Sequence, residues 1–78
     1  MKQNIKYETN FGKTYLCIKE KMDECGISIS EMSHLTGVTY DAVKNYYKNN
    51  VFIYNGDILA KFCYVLECDI SDILKYGK

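Results

Sequence analysis

Proline is missing from the 78 residues, and glycine occurs only five times. A turn-rich all-β fold draws on both, so their scarcity favours helices. Arginine is also missing, and the ten cations balance ten carboxylates to a formal charge of zero. That balance counts against a strongly basic nonspecific nucleic-acid binder, for which a pI above ~9 is the rule. It also removes the usual bidentate reader of guanine. No apolar run approaches the ~20 residues that cross a bilayer. The N-terminus lacks a signal-peptide apolar core, so the chain reads as soluble and cytoplasmic, with no membrane partner. Cys17, Cys25, Cys63 and Cys68 form no CxxC pair, and the single histidine, His34, stands apart from them. Zinc ligation needs closer spacing, so the expectation is no metal and four reduced, largely buried thiols. No nucleophile–base constellation or paired acid set is present, which leaves no catalytic residues and no cofactor to assign. Gly12-Lys13-Thr14 resembles the tail of a phosphate-binding loop, but that loop needs a glycine at position 7, where Tyr7 stands.

What remains is one small domain. A chain of this length buries only ~60% of its unfolded surface, so its margin of stability is modest. Residues 1–10 are polar and mixed, and read as an arm or a short extended segment carrying Lys2 and Lys6. Phe11, Tyr15, Ile18, Met22 and Cys25 recur at steps of four and three, which predicts a first helix over 11–25 that Gly26 ends. Ser28 to Thr36 predicts a second helix and Thr39 to about Lys48 a third, stopped by Asn49 and Asn50. Val51, Phe52, Ile53 and Tyr54 form a short apolar link with β character, exposed unless it packs on the domain or on another copy. Asn55-Gly56-Asp57 then caps a fourth helix built on Ile58, Leu59, Phe62, Cys63, Val65 and Leu66. Asp69 and Asp72 open a short fifth helix burying Ile70, Ile73 and Leu74, and residues 76–78 are expected to fray.

The stretch from Ile27 to Lys48 organises the rest. Ser28 followed by Glu31 has the spacing of a capping box, and Thr39 can cap the next helix. Gly37 stands where the chain must turn through the left-handed region, which glycine enters without a Cβ clash. Ile27, Met32, Leu35, Val38, Val43 and Tyr46 are spaced to pack two crossed helices around Val38. The outcome is a helix-turn-helix, a motif whose second helix lies in the DNA major groove. The residues that helix does not bury are Tyr40, Asp41, Lys44, Asn45 and Lys48.

These features resemble the Cro/C1-type repressor family over about residues 13–76. The residues that carry the resemblance are Gly26-Ile27-Ser28, Glu31-Met32-Ser33, Leu35-Thr36-Gly37-Val38-Thr39 and Val43. They continue as Leu59-Ala60-Lys61-Phe62-Cys63 and Leu66-Glu67-Cys68-Asp69-Ile70-Ser71-Asp72-Ile73-Leu74. The phrase from Val43 to Tyr54 is also similar to small single-domain regulators of Gram-positive bacteria and mobile elements. The resemblance implies an all-α, five-helix domain over 11–76 with the helix-turn-helix at helices 2 and 3. It implies base contacts from Tyr40, Asp41, Lys44 and Asn45, and backbone contacts from Ser28, Thr39, Lys48 and Asn49. Where the family often carries glutamine just after the second helix's cap, this chain has Ile29, which weakens the backbone clamp or turns the residue to packing.

The function expected is a sequence-specific transcriptional regulator of double-stranded DNA, acting as a repressor. A module this small binds a palindromic site as a homodimer, for which Val51, Phe52, Ile53 and Tyr54 are the candidate surface. Zero charge and absent arginine support an alternative, a protein-interaction module or antitoxin-like adaptor with a protein partner and little DNA binding. Asp41 fits either a cytosine contact or a charge satisfying the helix dipole.

Overall fold

The computed structural model describes residues 11–77. In chain order the elements are β1 (Lys13–Leu16), α1 (Ile18–Cys25), α2 (Ile29–Thr36), α3 (Tyr40–Tyr47), α4 (Gly56–Leu66), α5 (Ile70–Ile73) and β2 (Leu74–Gly77). Five helices are present as expected, but the architecture is not all-α, because β1 and β2 pair antiparallel with Lys13 opposite Gly77 and Leu16 opposite Leu74. The expectation for residues 1–10 lies outside the described residues.

Two boundaries therefore change. The helix predicted from residue 11 begins only at Ile18. Gly12 turns the chain at φ +79°. Phe11 and Tyr15 are exposed rather than on a buried helix stripe. The chain end expected to fray is instead a strand as far as Gly77, and the Tyr76 hydroxyl donates to the Phe11 carbonyl at 2.6 Å. The Cys17 N–H donates to the Ile73 carbonyl at 2.8 Å, extending the ladder by one residue at the point where α1 starts.

Three helices close with the same hydrogen-bond pattern, in which a left-handed residue lets two successive N–H groups reach back into the last turn. In α1 that residue is Gly26, with Ile27 bonded to the Met22 carbonyl at 3.0 Å. In α3 it is Asn49 at φ +59°, with Asn50 bonded to the Asn45 carbonyl at 2.8 Å. In α4 it is Glu67 at φ +52°, with Cys68 bonded to the Cys63 carbonyl at 3.1 Å. The sequence signals for the first two are a glycine and an asparagine; glutamate gives none.

The core is a single cluster: Leu16, Ile18, Met22, Met32, Val38, Val43, Tyr46, Leu59, Phe62, Leu66 and Ile73. Phe62 is fully buried and meets Tyr46 edge to face, with ring centroids 5.4 Å apart. The Tyr46 hydroxyl accepts the Asn55 N–H at 3.0 Å, which ties the end of the link to α3. Asn55 then caps α4, its side-chain oxygen accepting from Asp57 at 2.9 Å and Ile58 at 3.1 Å.

Other expectations need correction. Leu35 is 58% exposed, because at the end of α2 it lies over α4 beside Ala60, Tyr64 and Val65 rather than between α2 and α3. Val51–Tyr54 forms no strand: Val51 and Tyr54 pack against the core, while Phe52 and Ile53 stand about nine-tenths exposed. The thiols are less buried than expected, since Cys25 is exposed and Cys17, Cys63 and Cys68 are half-buried.

Candidate nucleic-acid interface

The turn between α2 and α3 is held by side chains as well as by its glycine. The Ser33 hydroxyl donates to the Val38 carbonyl at 2.6 Å. Thr36 donates from its hydroxyl to the Met32 carbonyl at 2.7 Å and accepts the Val38 N–H at 3.2 Å. Gly37 sits at φ +76° and returns its N–H to the Ser33 carbonyl at 2.9 Å. Ser33 therefore does more than keep the helix crossing small. It fixes the peptide that aims α3.

Both helix starts are capped as the sequence indicates. The Ser28 hydroxyl accepts the Glu31 N–H at 3.1 Å while the Glu31 carboxylate accepts the Ser28 N–H at 3.0 Å. The Thr39 hydroxyl accepts the Ala42 N–H at 3.3 Å. The start of α2 also meets α3 sideways: Ile27, Ser28, Ile29, Ser30, Tyr40 and Tyr47 line one shallow groove with Asp23. Ile29 is half-buried and packs against the core, so the position where the family often has glutamine is given to packing.

Helix α3 buries Val43 and Tyr46 and leaves its other side to solvent. Tyr40, Asp41, Lys44, Asn45 and Lys48 are all exposed and share that outer side. Asn49 follows, exposed but partly committed, because its side-chain oxygen accepts the Leu16 N–H at 2.8 Å. It braces β1 and keeps its amide N–H groups for another acceptor. Ser28 and Tyr40, from the two contact classes, meet at one groove; Thr39 lies at the helix start, while Lys48 and Asn49 lie a helix length away.

Charge is distributed unevenly over the surface. Lys19 pairs with Asp23 at 3.0 Å, Lys21 with Glu24 at 3.5 Å and Lys61 with Asp57 at 3.1 Å. Among the described residues no ion pair holds Lys44 or Lys48, so the outer side of α3 carries uncompensated cations next to the single carboxylate of Asp41.

A polar tie that periodicity does not reveal fixes α3 against α1. The Tyr47 hydroxyl donates to Asp23 at 3.0 Å, and the Lys19 ammonium stands 5.7 Å from the centre of the Tyr47 ring while also bonding Asp23. The hydrogen bond from Lys19, then that from Tyr47, holds the Asp23 carboxyl below its ordinary value. The hydrogen bond to Asp23 in turn raises both Lys19 and Tyr47. The i,i+4 spacing of Lys19 and Asp23 was a signal for half of this. Nothing in the order of residues links Asp23 to Tyr47.

Among the described residues no group of three or more His, Cys, Asp or Glu side chains is placed to hold a metal, and no helix is long and apolar enough to cross a membrane. The family model of the Cro/C1-type helix-turn-helix DNA-binding domain matches residues 18–78. The chain belongs to that family. No curated protein and no solved structure matches it.

Proposed function

We propose that this chain is a sequence-specific transcriptional regulator that reads the major groove of duplex DNA with the outer side of α3 and acts as a repressor. The observation that carries the proposal is the exposed polar side of α3, where Lys44 and Lys48, held by no ion pair among the described residues, stand with Tyr40 and Asn45 on the second helix of the helix-turn-helix. In this reading Tyr40, Asp41, Lys44 and Asn45 face base edges. Lys44 donates to guanine acceptors, Asn45 pairs with an adenine edge, and Asp41 accepts from a cytosine amino group. Ser28, Thr39, Lys48 and the free amide of Asn49 hold phosphates and set the register without reading sequence.

Two copies on a palindromic site complete the proposal, because one module of this size covers too little duplex for high specificity. Of the four residues in the link, Phe52 and Ile53 are the pair available to a second copy, since Val51 and Tyr54 are turned to the core. The cytoplasmic location expected from the sequence belongs to the same proposal.

Selection of bound sequences from a random duplex pool tests it, followed by fluorescence anisotropy on the selected site. Lys44→Ala and Asn45→Ala are expected to flatten preference at one base pair each, by the ~1–3 kcal/mol that a good side-chain–base pair supplies. Lys48→Ala is expected to weaken all duplexes alike and reduce the salt slope by about one. A pool that returns no enriched sequence would favour the second reading, a protein-binding adaptor, to which the zero net charge and the exposed Phe52 and Ile53 lend support.

A further inference from the structure

The closing turn of α4 contains two cysteines that the DNA-binding reading does not use. In the hydrogen-bond pattern that ends α1 and α4, the residue three back from the helix end and the residue just past the left-handed position lie side by side, usually as an apolar contact. In α1 those residues are Met22 and Ile27, which both belong to the core or pack on it. In α4 they are Cys63 and Cys68, joined along the backbone by the bond from the Cys68 N–H to the Cys63 carbonyl at 3.1 Å. The motif that packs methionine on isoleucine in α1 thus sets one thiol against another in α4.

Both thiols are half-buried and free, and both line an open groove of about 810 Å³ with Leu35, Tyr64, Val65, Glu67, Asp69 and Asp72. A small reagent can reach them there. Among the described residues they belong to no metal-holding group of three, so the chemistry open to them is that of a dithiol.

We propose that Cys63 and Cys68 are a closable dithiol, a modification site that a low-molecular-weight disulfide oxidises to an intramolecular disulfide across the end of α4. One protein thiolate attacks the small disulfide, forming a mixed disulfide and expelling one small thiolate. The second protein thiolate then attacks the protein sulfur of that mixed disulfide and expels the other small thiolate. The two protons lost from the cysteines end on the two small thiols, and the two electrons have passed from the cysteines to the reagent. Burial first, then the Cys63 thiol and the Asp72 carboxylate, raises the pKa of Cys68, with Lys21 opposing. The fold's contribution is to the second step, where proximity replaces collision. The bridge spans Glu67, the left-handed residue on which the chain turns toward α5 and β2, and holds that corner closed.

The test uses the full chain with Cys17→Ser and Cys25→Ser, treated with oxidised glutathione and followed by intact mass and peptide mapping. The expected product is about 2 Da lighter, carries a Cys63–Cys68 linked peptide, and reverts with dithiothreitol. The further variants Cys63→Ser and Cys68→Ser are expected to stop at one glutathione adduct. Closure is expected to be at least about tenfold slower in guanidinium than in buffer, because the folded corner supplies the high local concentration. The proposal is overturned if the two-cysteine protein accumulates glutathione adducts or cross-linked dimers instead of the internal bridge, or if it closes equally fast when unfolded.

Discussion

Gly37 shows how a single residue sets the angle of α3. At φ +76° it occupies a region that costs other residues ~1–2 kcal/mol, although no heavy atom within 4 Å would obstruct an added Cβ. Gly37→Ala is thus expected to lower stability by about 1 kcal/mol through backbone strain alone, measured by urea denaturation with an unchanged slope. Asn49 contributes in two ways, as a non-glycine residue tolerating φ +59° and as the acceptor for Leu16. For Asn49→Ala a loss of about 1–3 kcal/mol is expected, since the Leu16 N–H is left without its acceptor. A loss within error would mean that water replaces the amide at no cost.

At the scale of elements, legibility followed the range of the interactions. Helices α2 and α3 were readable to within a residue or two because their caps, Ser28 with Glu31 and Thr39, act over three residues. β1 was not readable: its partner β2 lies some sixty residues further along, and the helical spacing of Phe11, Tyr15 and Ile18 fits a strand entering a helix as well. Leu35 misled for a related reason, since periodicity places it on an apolar stripe without saying which neighbour the stripe meets. The exposure of Tyr40, Asp41, Lys44, Asn45 and Lys48 on α3 was legible; the role of Asn49 as a brace was not. The tie between α1 and α3 gives a pH dependence with a definite sign. Asp23 is held below the ordinary carboxylate value of 3.8, so its contribution is complete above that pH and disappears as pH falls through the lowered value. Tyr47 and Lys19 are raised above 10.0 and 10.5, so theirs are complete below those values and disappear as pH rises through the raised ones. The thermal midpoint is expected to be level across the neutral range and to fall at both extremes. In Asp23→Asn the part of both falls that comes from this tie should vanish; an unchanged profile would show that the tie carries no stability.

For the molecule as a whole, one cluster around Phe62 supports the helix-turn-helix, and the antiparallel pair β1 and β2 fastens the two ends of the described chain over it. Strand β1 is tied to the end of α3 by the bond from the Leu16 N–H to Asn49, and to the link before α4 by the hydrogen bond of 2.9 Å that Thr14 and Tyr54 share. The zero net charge is consistent with groove reading because the acids concentrate elsewhere, with Glu67, Asp69 and Asp72 at the junction of α4 and α5. A protein so balanced should bind random duplex weakly and gain its affinity from a selected site. The decisive measurement is the affinity for a pool-selected duplex as a function of salt, compared with a scrambled duplex and with Lys44→Ala. Steep salt dependence is expected on both duplexes, with a large preference for the selected one that falls by ~1–3 kcal/mol in Lys44→Ala. Equal affinity for the two duplexes, or a preference left undiminished by Lys44→Ala and Asn45→Ala together, would contradict the proposal.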